Sequence, residues 1–569
     1  MKTLIVAVAL VMTASQAMAQ NRTDPQAAPF NVTMTVDASK VTGKLKPIWR
    51  FFGADEPNYA LMKDGQKLMS HLGALRPGDV YFRAHNMLNT GDGTASFKWG
   101  STNAYTEDAA GNPIYNWKIS DEIIDSYRAR GVHPYLEIGF MPEAMTSGPA
   151  DVPYRHSWQP GVKGATISAR WNTPPKDYAK WEELNYQWAK HNLERYGAAE
   201  VSKWYFEVWN EANLKDYWAG SEDDFVKLHD YAIAGIRRAI PNARVGGPDF
   251  AGGNWPWLDT FLTHVVSGHN DATGTTGTPV DFVSFHAKGQ PTIVDGHVRM
   301  GLGLQLKTMD TGFSHIAAVP QLANIPVVIG ESDPEGCAAC PGPQNAYRNG
   351  TLYASYTAAT LPRIMQIATA RKINIDGALT WAFEFEGQAP FAGYRQLASS
   401  GIDLPVMNTF RLFAKLGSNE LAATSSAQKT PDDIMANGVT GSPDVGIVAT
   451  RTADGALAIL IWHYHDDDVA GAPAAITLNL KGLGNLNGLR KSKALHVTQW
   501  RVDGDNGDAF SAWQEMGSPP SPDATQYQAL EAASVMHPKA WADAVAVTKG
   551  NARLKVSVPR QGVTLLVLN

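Results

Sequence analysis

Two glutamates stand where paired acid–base chemistry would need them. Glu211 ends the run Phe206-Glu207-Val208-Trp209-Asn210-Glu211, and Glu331 follows the apolar Val328-Ile329-Gly330, 120 residues further on. That spacing leaves room for three successive strand–helix units, which would put both carboxylates at one end of a closed barrel. Facing each other across its mouth, such groups can attack an anomeric carbon from one side and protonate the leaving oxygen from the other. Either glutamate alone is most simply a solvated side chain after a strand. The matched placement, with Asn210 beside Glu211, makes the pair a candidate.

The elements that must hold them are visible as alternation. Short β-rich runs at Ile48–Gly53, Val80–Arg83, Pro134–Ile138, Trp204–Trp209, Arg244–Gly247, Val280–Phe285, Pro326–Ile329 and Gly377–Trp381 are separated by helical stretches such as Asp177–Tyr196 and Ser221–Ile240. Eight such runs predict an α/β fold, a (β/α)8 TIM barrel over residues 45–416. A Pro/Trp-rich insertion between the third and fourth runs carries Trp158 and Trp171 and belongs on the active-site face. From 417 to 569 the helical period fades. Val445–Thr450, Leu457–Tyr464, Ala475–Leu480, Leu495–Trp500 and Arg553–Leu568 predict an all-β sandwich domain. The lead 20–44 holds one alternating strand, Asn31–Val36, expected to join that domain.

Composition narrows the classes. A chain of 569 residues with 44% hydrophobic residues buries a real core, and its net charge of −6 offers no basic footprint for nucleic acid or an anionic membrane. Its 17 tryptophans fit either sugar-stacking faces or large aromatic cores. Residues 1–19 read as an export signal: Lys2, an apolar run Leu4–Met12, and Ala17-Met18-Ala19 as the cleavage site. The run is too short to span a bilayer, so a periplasmic or secreted protein is expected. Cys337 and Cys340, the only cysteines, sit in a Gly/Pro-rich loop. They lack the second pair a zinc site needs, and in an oxidising compartment they read as a local disulfide, with two free thiols as the alternative.

The motifs WYFEVWNEANL, DFVSFHAKG and VVIGESDPEG, with YFRAH, YLEIGFMPEAM, VGGPDF and GIDLPVMNTFRLF, resemble glycoside hydrolase family 39. The C-terminal WHYHDDDVAGAPAAITLNLKGL and PRQGVTLLVLN resemble the β-domain of its bacterial β-xylosidases. The resemblance implies Glu211 as general acid/base, Glu331 as nucleophile, and Asn210 on the sugar 2-hydroxyl. It places His286 beside the nucleophile, His85 on sugar hydroxyls, Phe140 in the innermost subsite and Trp381 as the sugar platform. One of Glu384 and Glu386 is expected to bind outer hydroxyls. Two positions depart from the pattern: Ala212 replaces a usual proline, and Lys288 stands where some members carry an aromatic. A lysine there binds hydroxyls or pairs with a uronic carboxylate.

The expected reaction is therefore release of β-D-xylose from xylo-oligosaccharides by double displacement, without metal or organic cofactor. The alternatives are an α-L-arabinofuranoside, a β-glucoside or a uronide such as an α-L-iduronide, or a non-catalytic sugar-binding barrel. Retention requires carboxyl groups about 5–5.5 Å apart, and their mutual repulsion is expected to raise the acid's pKa.

Overall fold

The computed structural model describes residues 27–155, 169–485 and 494–569. The export signal and Trp158 lie outside the described residues. Eight parallel strands follow one another around a barrel in chain order: Phe51–Ala54, Val80–Ala84, Val132–Ile138, Tyr205–Val208, Arg244–Phe250, Phe282–Lys288, Pro326–Asp333 and Asn374–Ala378. The ring closes where Gly53 N–H donates to Thr380 C=O at 3.1 Å and Thr380 N–H donates to Phe51 C=O at 3.0 Å. The last strand starts earlier than its apolar run predicts, because Asp376 is turned to use: it takes a hydrogen bond from Arg50 and another from Tyr205. The two helices read from the sequence begin on their predicted residues. Asp177 and Ser221 are N-caps, the latter closing a capping box with Asp224.

The two-residue period of a strand stacks the barrel's interior in layers. Phe51, Tyr81, Tyr135, Tyr205 and Phe282 form an aromatic floor, with Tyr135 and Tyr205 stacked at 4.8 Å and Phe51 and Tyr81 at 5.0 Å. Two residues further along the same strands come Arg83, Glu137, Glu207 and Ser284, all buried. Two further still stand His85 and His286, at the mouth. A charged residue inside an apolar run is thus the second storey of a ladder.

The C-terminal unit is one nine-stranded sheet folded over. In order its strands are Lys539–Ala540, Val497–Val502, Val563–Leu568, Leu457–Tyr464, Asp444–Arg451, Asn419–Ser425, Phe30–Lys44, Ala474–Lys481 and Ala552–Val558. The fold line is Asn419–Ser425, which pairs with Asp444–Arg451 only through Asn419 and Glu420. Inward residues of both halves, such as Val32, Met34, Ile476 and Leu554 on one and Ile447, Ile459 and Leu566 on the other, join in one aliphatic core. The outer face of the second half packs on the barrel helix Thr351–Arg371. There Arg363 donates to both oxygens of Asp444 at 2.6 and 2.8 Å and stacks over Trp462.

Two differences from the sequence reading have local causes. Arg553–Leu568 is two strands, because Pro559–Gly562 turns the chain between the two halves of the sheet. Two helices, Ala509–Glu515 and Ala524–Ser534, interrupt the domain read as all-β. They bury few residues of their own, so the apolar stripe that betrays a helix is faint. They rest on the barrel instead, with Tyr527 donating to Ser400 C=O at 3.0 Å and Asn408 donating to Ser534 C=O at 2.7 Å. Most of the described tryptophans that are fully buried, including Trp181, Trp188, Trp204 and Trp462, serve cores. Among the described residues no helix is long and apolar enough to cross a membrane.

Above the barrel's mouth the two units touch again. A hairpin, Thr292–Val294 and His297–Arg299, leaves the sixth strand just past Lys288. The Asp466–Asp468 loop of the β-sheet grips it: Asp468 N–H donates to Val298 C=O at 2.8 Å, and Met300 N–H donates to Asp466 C=O at 2.8 Å. Arg299 donates to both carboxylate oxygens of Asp467.

Candidate active site

Glu211 stands just past the fourth strand and Glu331 in the seventh. Backbone strain gathers around them: Trp209, Glu211 and Asp249 all have positive φ, at 70°, 43° and 51°. Gly330 carries no side chain because the Asp249 carboxylate occupies the space of its Cβ. His286, on the sixth strand, lies between the two glutamates. Its Nδ1 is 2.8 Å from Glu211 Oε1 and 3.8 Å from Glu331 Oε1, and its Nε2 is 2.8 Å from Asp249 Oδ2. The two facing oxygens are therefore no farther apart than those two contacts laid end to end. That ceiling barely reaches the ~6.5–9.5 Å of an inverting pair and leaves the ~5–5.5 Å of a retaining pair within range.

The cluster is balanced by cations. Arg83, wholly buried, lies 2.6 Å from Glu207, 2.9 Å from Glu137 and 2.5 Å from Asp249, and 4.0 Å from Glu331. Lys288 Nζ is paired directly with Glu331 Oε2. Three cations thus face five carboxylates, two of which lean toward neutrality. Burial pushes Glu137 well above the ordinary range, and burial with the neighbouring Asp249 pushes Glu207 up to about 7. His286 moves the other way. Burial disfavours its charge, but Asp249, Glu331 and Glu211 outweigh that and raise it to about 10, so it is a cation at neutral pH.

This corrects one expectation. Burial does push the Glu211 carboxyl upward, but the His286 hydrogen bond and the charges of His286 and Lys288 more than offset it. The net direction is below the ordinary value. The cations between the two glutamates, not their mutual repulsion, decide the sign.

Most of the other predicted residues converge here. Asn210 is buried, its Oδ1 accepting from Arg83 at 3.2 Å, while its Nδ2 has no hydrogen-bond partner among the described residues. His85 lies 2.5 Å from Glu137 through Nδ1, and burial together with the Arg83 charge keeps it neutral. Trp381 lies against His85 at 4.4 Å, over a Gly53 that leaves room for its ring. Phe140 packs against Trp171 of the insertion at 4.6 Å and His85 at 5.5 Å. The loop after Glu211 is pinned without the missing proline: Asn213 and Ala251 exchange two hydrogen bonds, at 2.8 and 2.9 Å. Cys337 and Cys340 form a disulfide. Arg348 fastens that loop by donating to the carbonyls of both, at 2.9 and 2.8 Å.

Glu386 does not join, whereas Glu384 lines a small cavity with Asp55 and Trp381 and leaves Oε2 without a hydrogen-bond partner among the described residues. Glu386 accepts from the N–H groups of Asp64 and Gly65 at 3.1 and 3.2 Å, capping the helix Lys63–Leu75. Glu384 accepts from Gly401 N–H at 2.6 Å, and burial raises it to about 8. Sequence reasoning missed Arg83, Glu137, Glu207 and Asp249, whose signal was a charged residue at an inward position of a strand. It also missed Asp55, Lys98 and Tyr217, which sit on three separate loops and carry no shared spacing.

The sequence pattern of glycosyl hydrolases family 39 matches residues 32–553. A β-xylosidase of Geobacillus stearothermophilus is 27% identical over 545 residues, covering 92% of this chain and 93% of its own. An α-L-iduronidase of Canis lupus familiaris is 24% identical over 572 residues, 94% of this chain and 77% of its own. The solved structure of a bacterial orthologue of human α-L-iduronidase superposes with a TM-score of 0.74 at 19% identity, covering 95% of this chain and 84% of that one.

Proposed function

The chain belongs to glycosyl hydrolase family 39 and is a glycoside hydrolase, and from that premise we propose that it is an exo-acting β-D-xylosidase working with retention. The observation that carries the mechanism is the single imidazole nitrogen of His286 within 4 Å of both carboxylates. In the first step a Glu331 oxygen bonds to the anomeric carbon, the glycosidic C–O bond breaks, and Glu211 gives its proton to the departing oxygen. In the second, water attacks the same carbon, Glu211 takes the water's proton, and the bond to Glu331 breaks.

Asn210 Nδ2, a donor without a partner among the described residues, is fit to hold the sugar 2-hydroxyl as positive charge develops at the ring. Trp381 and Phe140 supply apolar faces for the ring carbons. Because Glu211 is held below the ordinary carboxylate range, its acid form is the minor one at neutral pH, and the optimum belongs on the acid side.

One observation favours a second reading. Lys288 Nζ sits on Glu331 at the mouth, where a uronic carboxylate could share it, and α-L-iduronidases stand among the relatives. The β-xylosidase relative at 27% identity keeps the neutral sugar first. The Met1–Ala19 signal supports export to the periplasm or beyond.

An aryl-glycoside panel separates the sugars: the xyloside should be cleaved fastest, with xylose first released as the β-anomer. Cleavage of the iduronide alone would move the assignment to the second reading. Glu331→Ala should lose on the order of 10⁴-fold or more in kcat. Full activity in that variant would end the proposed roles.

A further inference from the structure

Of Glu384 and Glu386, one of which is expected to bind outer hydroxyls, Glu386 is tied to two backbone amides and Glu384 accepts one through Oε1. Another charged pair stands in the site. Asp55, just past the first barrel strand, lies 3.0 Å from Lys98 Nζ through Oδ2 and 3.4 Å from His85 Nε2 through Oδ1. Lys98 comes from the long loop after the second strand. Its backbone has φ 58°, and its N–H is held by the Glu56 carboxylate. The same loop is stapled to the segment after the first strand by two more bonds, Asn58 Nδ2 to Ser101 C=O at 3.0 Å and Ser101 N–H to Asn58 Oδ1 at 2.9 Å.

Three features tie this pair to the reaction centre. Among the charged side chains of the cluster, Glu211 (13% exposed), Lys98 (13%) and Lys288 (17%) keep access to solvent, while Asp55, His286 and Glu331 are nearly closed off. The Tyr217 ring packs 6.1 Å from the His85 ring and 6.0 Å from that of Phe140, on the side chains that line the innermost subsite. His85 spans the remaining distance. Its Nδ1 is against Glu137, which also pairs with Arg83, and its Nε2 is 3.4 Å from Asp55.

We infer that the Asp55–Lys98 pair is the specificity element of the innermost subsite, reading the 3- and 4-hydroxyls at the end of the sugar away from the anomeric carbon. The inference rests on the exo-glycosidase reading above. An ammonium and a carboxylate 3.0 Å apart offer a donor and an acceptor side by side, the complement of two neighbouring hydroxyls that each give one hydrogen and take another. Charged partners make such bonds strong, and leaving the pair without its hydroxyls in a closed pocket is costly. On this reading the stapled loop that carries Lys98 stands where a preceding sugar would otherwise lie. The pair would thus make the enzyme both exo-acting and demanding about the sugar's far edge.

The test compares the aryl glycoside that the wild type cleaves with its 3-deoxy and 4-deoxy analogues, using wild type, Asp55→Asn, Lys98→Met and, as a comparator, Glu386→Gln. The wild type should lose roughly 10²-fold or more in kcat/KM on at least one analogue. Lys98→Met and Asp55→Asn should lose a similar factor on the parent glycoside but differ little from wild type on that analogue, the signature of a shared contact. Glu386→Gln should keep the wild-type discrimination. The deoxy analogues delete the contact from the substrate side, so the result does not depend on the variants folding. If wild type cleaves the deoxy sugars as well as the parent, or if the variants lose equally on both, the inference is overturned. A wrong choice of sugar shows separately, as absence of wild-type activity on the xyloside. The deoxy pair is then made in the series that is cleaved.

Discussion

The strand Leu457–Tyr464 of the C-terminal sheet and the strand Val80–Ala84 of the barrel are both buried along their whole length, yet they bury different things. The first sends Leu457, Ile459 and Ile461 into an aliphatic core and turns Ala458, Leu460 and Trp462 toward the barrel. The second sends Arg83 into the barrel axis, among Glu137, Glu207 and Asp249. The aliphatic core is stabilised by area removed from water, a term that is additive and tolerant of small losses. The charged layer holds only while every member has its partner, because a buried charge left alone costs far more than the pair contributes. A core of the first kind needs only to fold; one of the second must also hold protons and charges where substrate can meet them.

The contrast is sharpest if one member of each is removed. Arg83→Met should cost about 3–5 kcal/mol of stability by stranding three buried carboxylates, and should remove most activity with it. A variant as stable as the parent by denaturant titration would show that the carboxylates simply take up protons. The second way is pH. His286 has a folded pKa of about 10, above the ordinary ~6.5, so its contribution to stability is complete below pH ~6.5 and is lost as pH rises toward 10. Tm should fall over that window, and His286→Gln should flatten the fall. No residue of the aliphatic core titrates there.

A smaller effect concerns rate. Lys288→Met removes one of the charges that hold Glu211 down, so the basic limb of the kcat/KM profile should move to higher pH, whatever happens to its height. An unmoved limb would leave His286 as the sole cation governing the acid. Smallest of all, Ile459→Val should cost about 0.5–1.5 kcal/mol by thermal melt and leave kcat/KM unchanged. A change in kcat/KM would mean that the two cores are mechanically joined, and the Asp466–Asp468 grip on the hairpin past Lys288 would be the first place to look.

How much of this the sequence discloses follows from the range of each interaction. Strand ends are local, so Glu211, Glu331 and His286 could be placed by counting runs. The inward charged layer could not, because Arg83, Glu137 and Glu207 each sit singly in a different run and only closure of the ring shows that they meet. One of Glu384 and Glu386 reads as a ligand because WAFEFEG resembles a stretch where family members carry acids that bind outer hydroxyls. What claims Glu386 is a helix N-terminus 322 residues away in sequence. The direction of the Glu211 shift failed for a related reason: distance between carboxylates is a property of the barrel, but the cations between them come from side-chain directions on the sixth strand.

Phe30–Lys44 lies in the middle of the folded-over sheet, parallel to Ala474–Lys481 and antiparallel to Asn419–Ser425. A ribosome delivers that strand first and its parallel neighbour more than four hundred residues later, a wait of tens of seconds at ~5–20 residues per second. Until Asn419–Ser425 emerges, this alternating apolar strand has no native partner, while the whole barrel emerges behind it. The barrel has the means to fold meanwhile, but the sheet does not. The order of assembly is therefore written into the topology: the enzyme's centre forms early, and its first strand is among the last to be put in place.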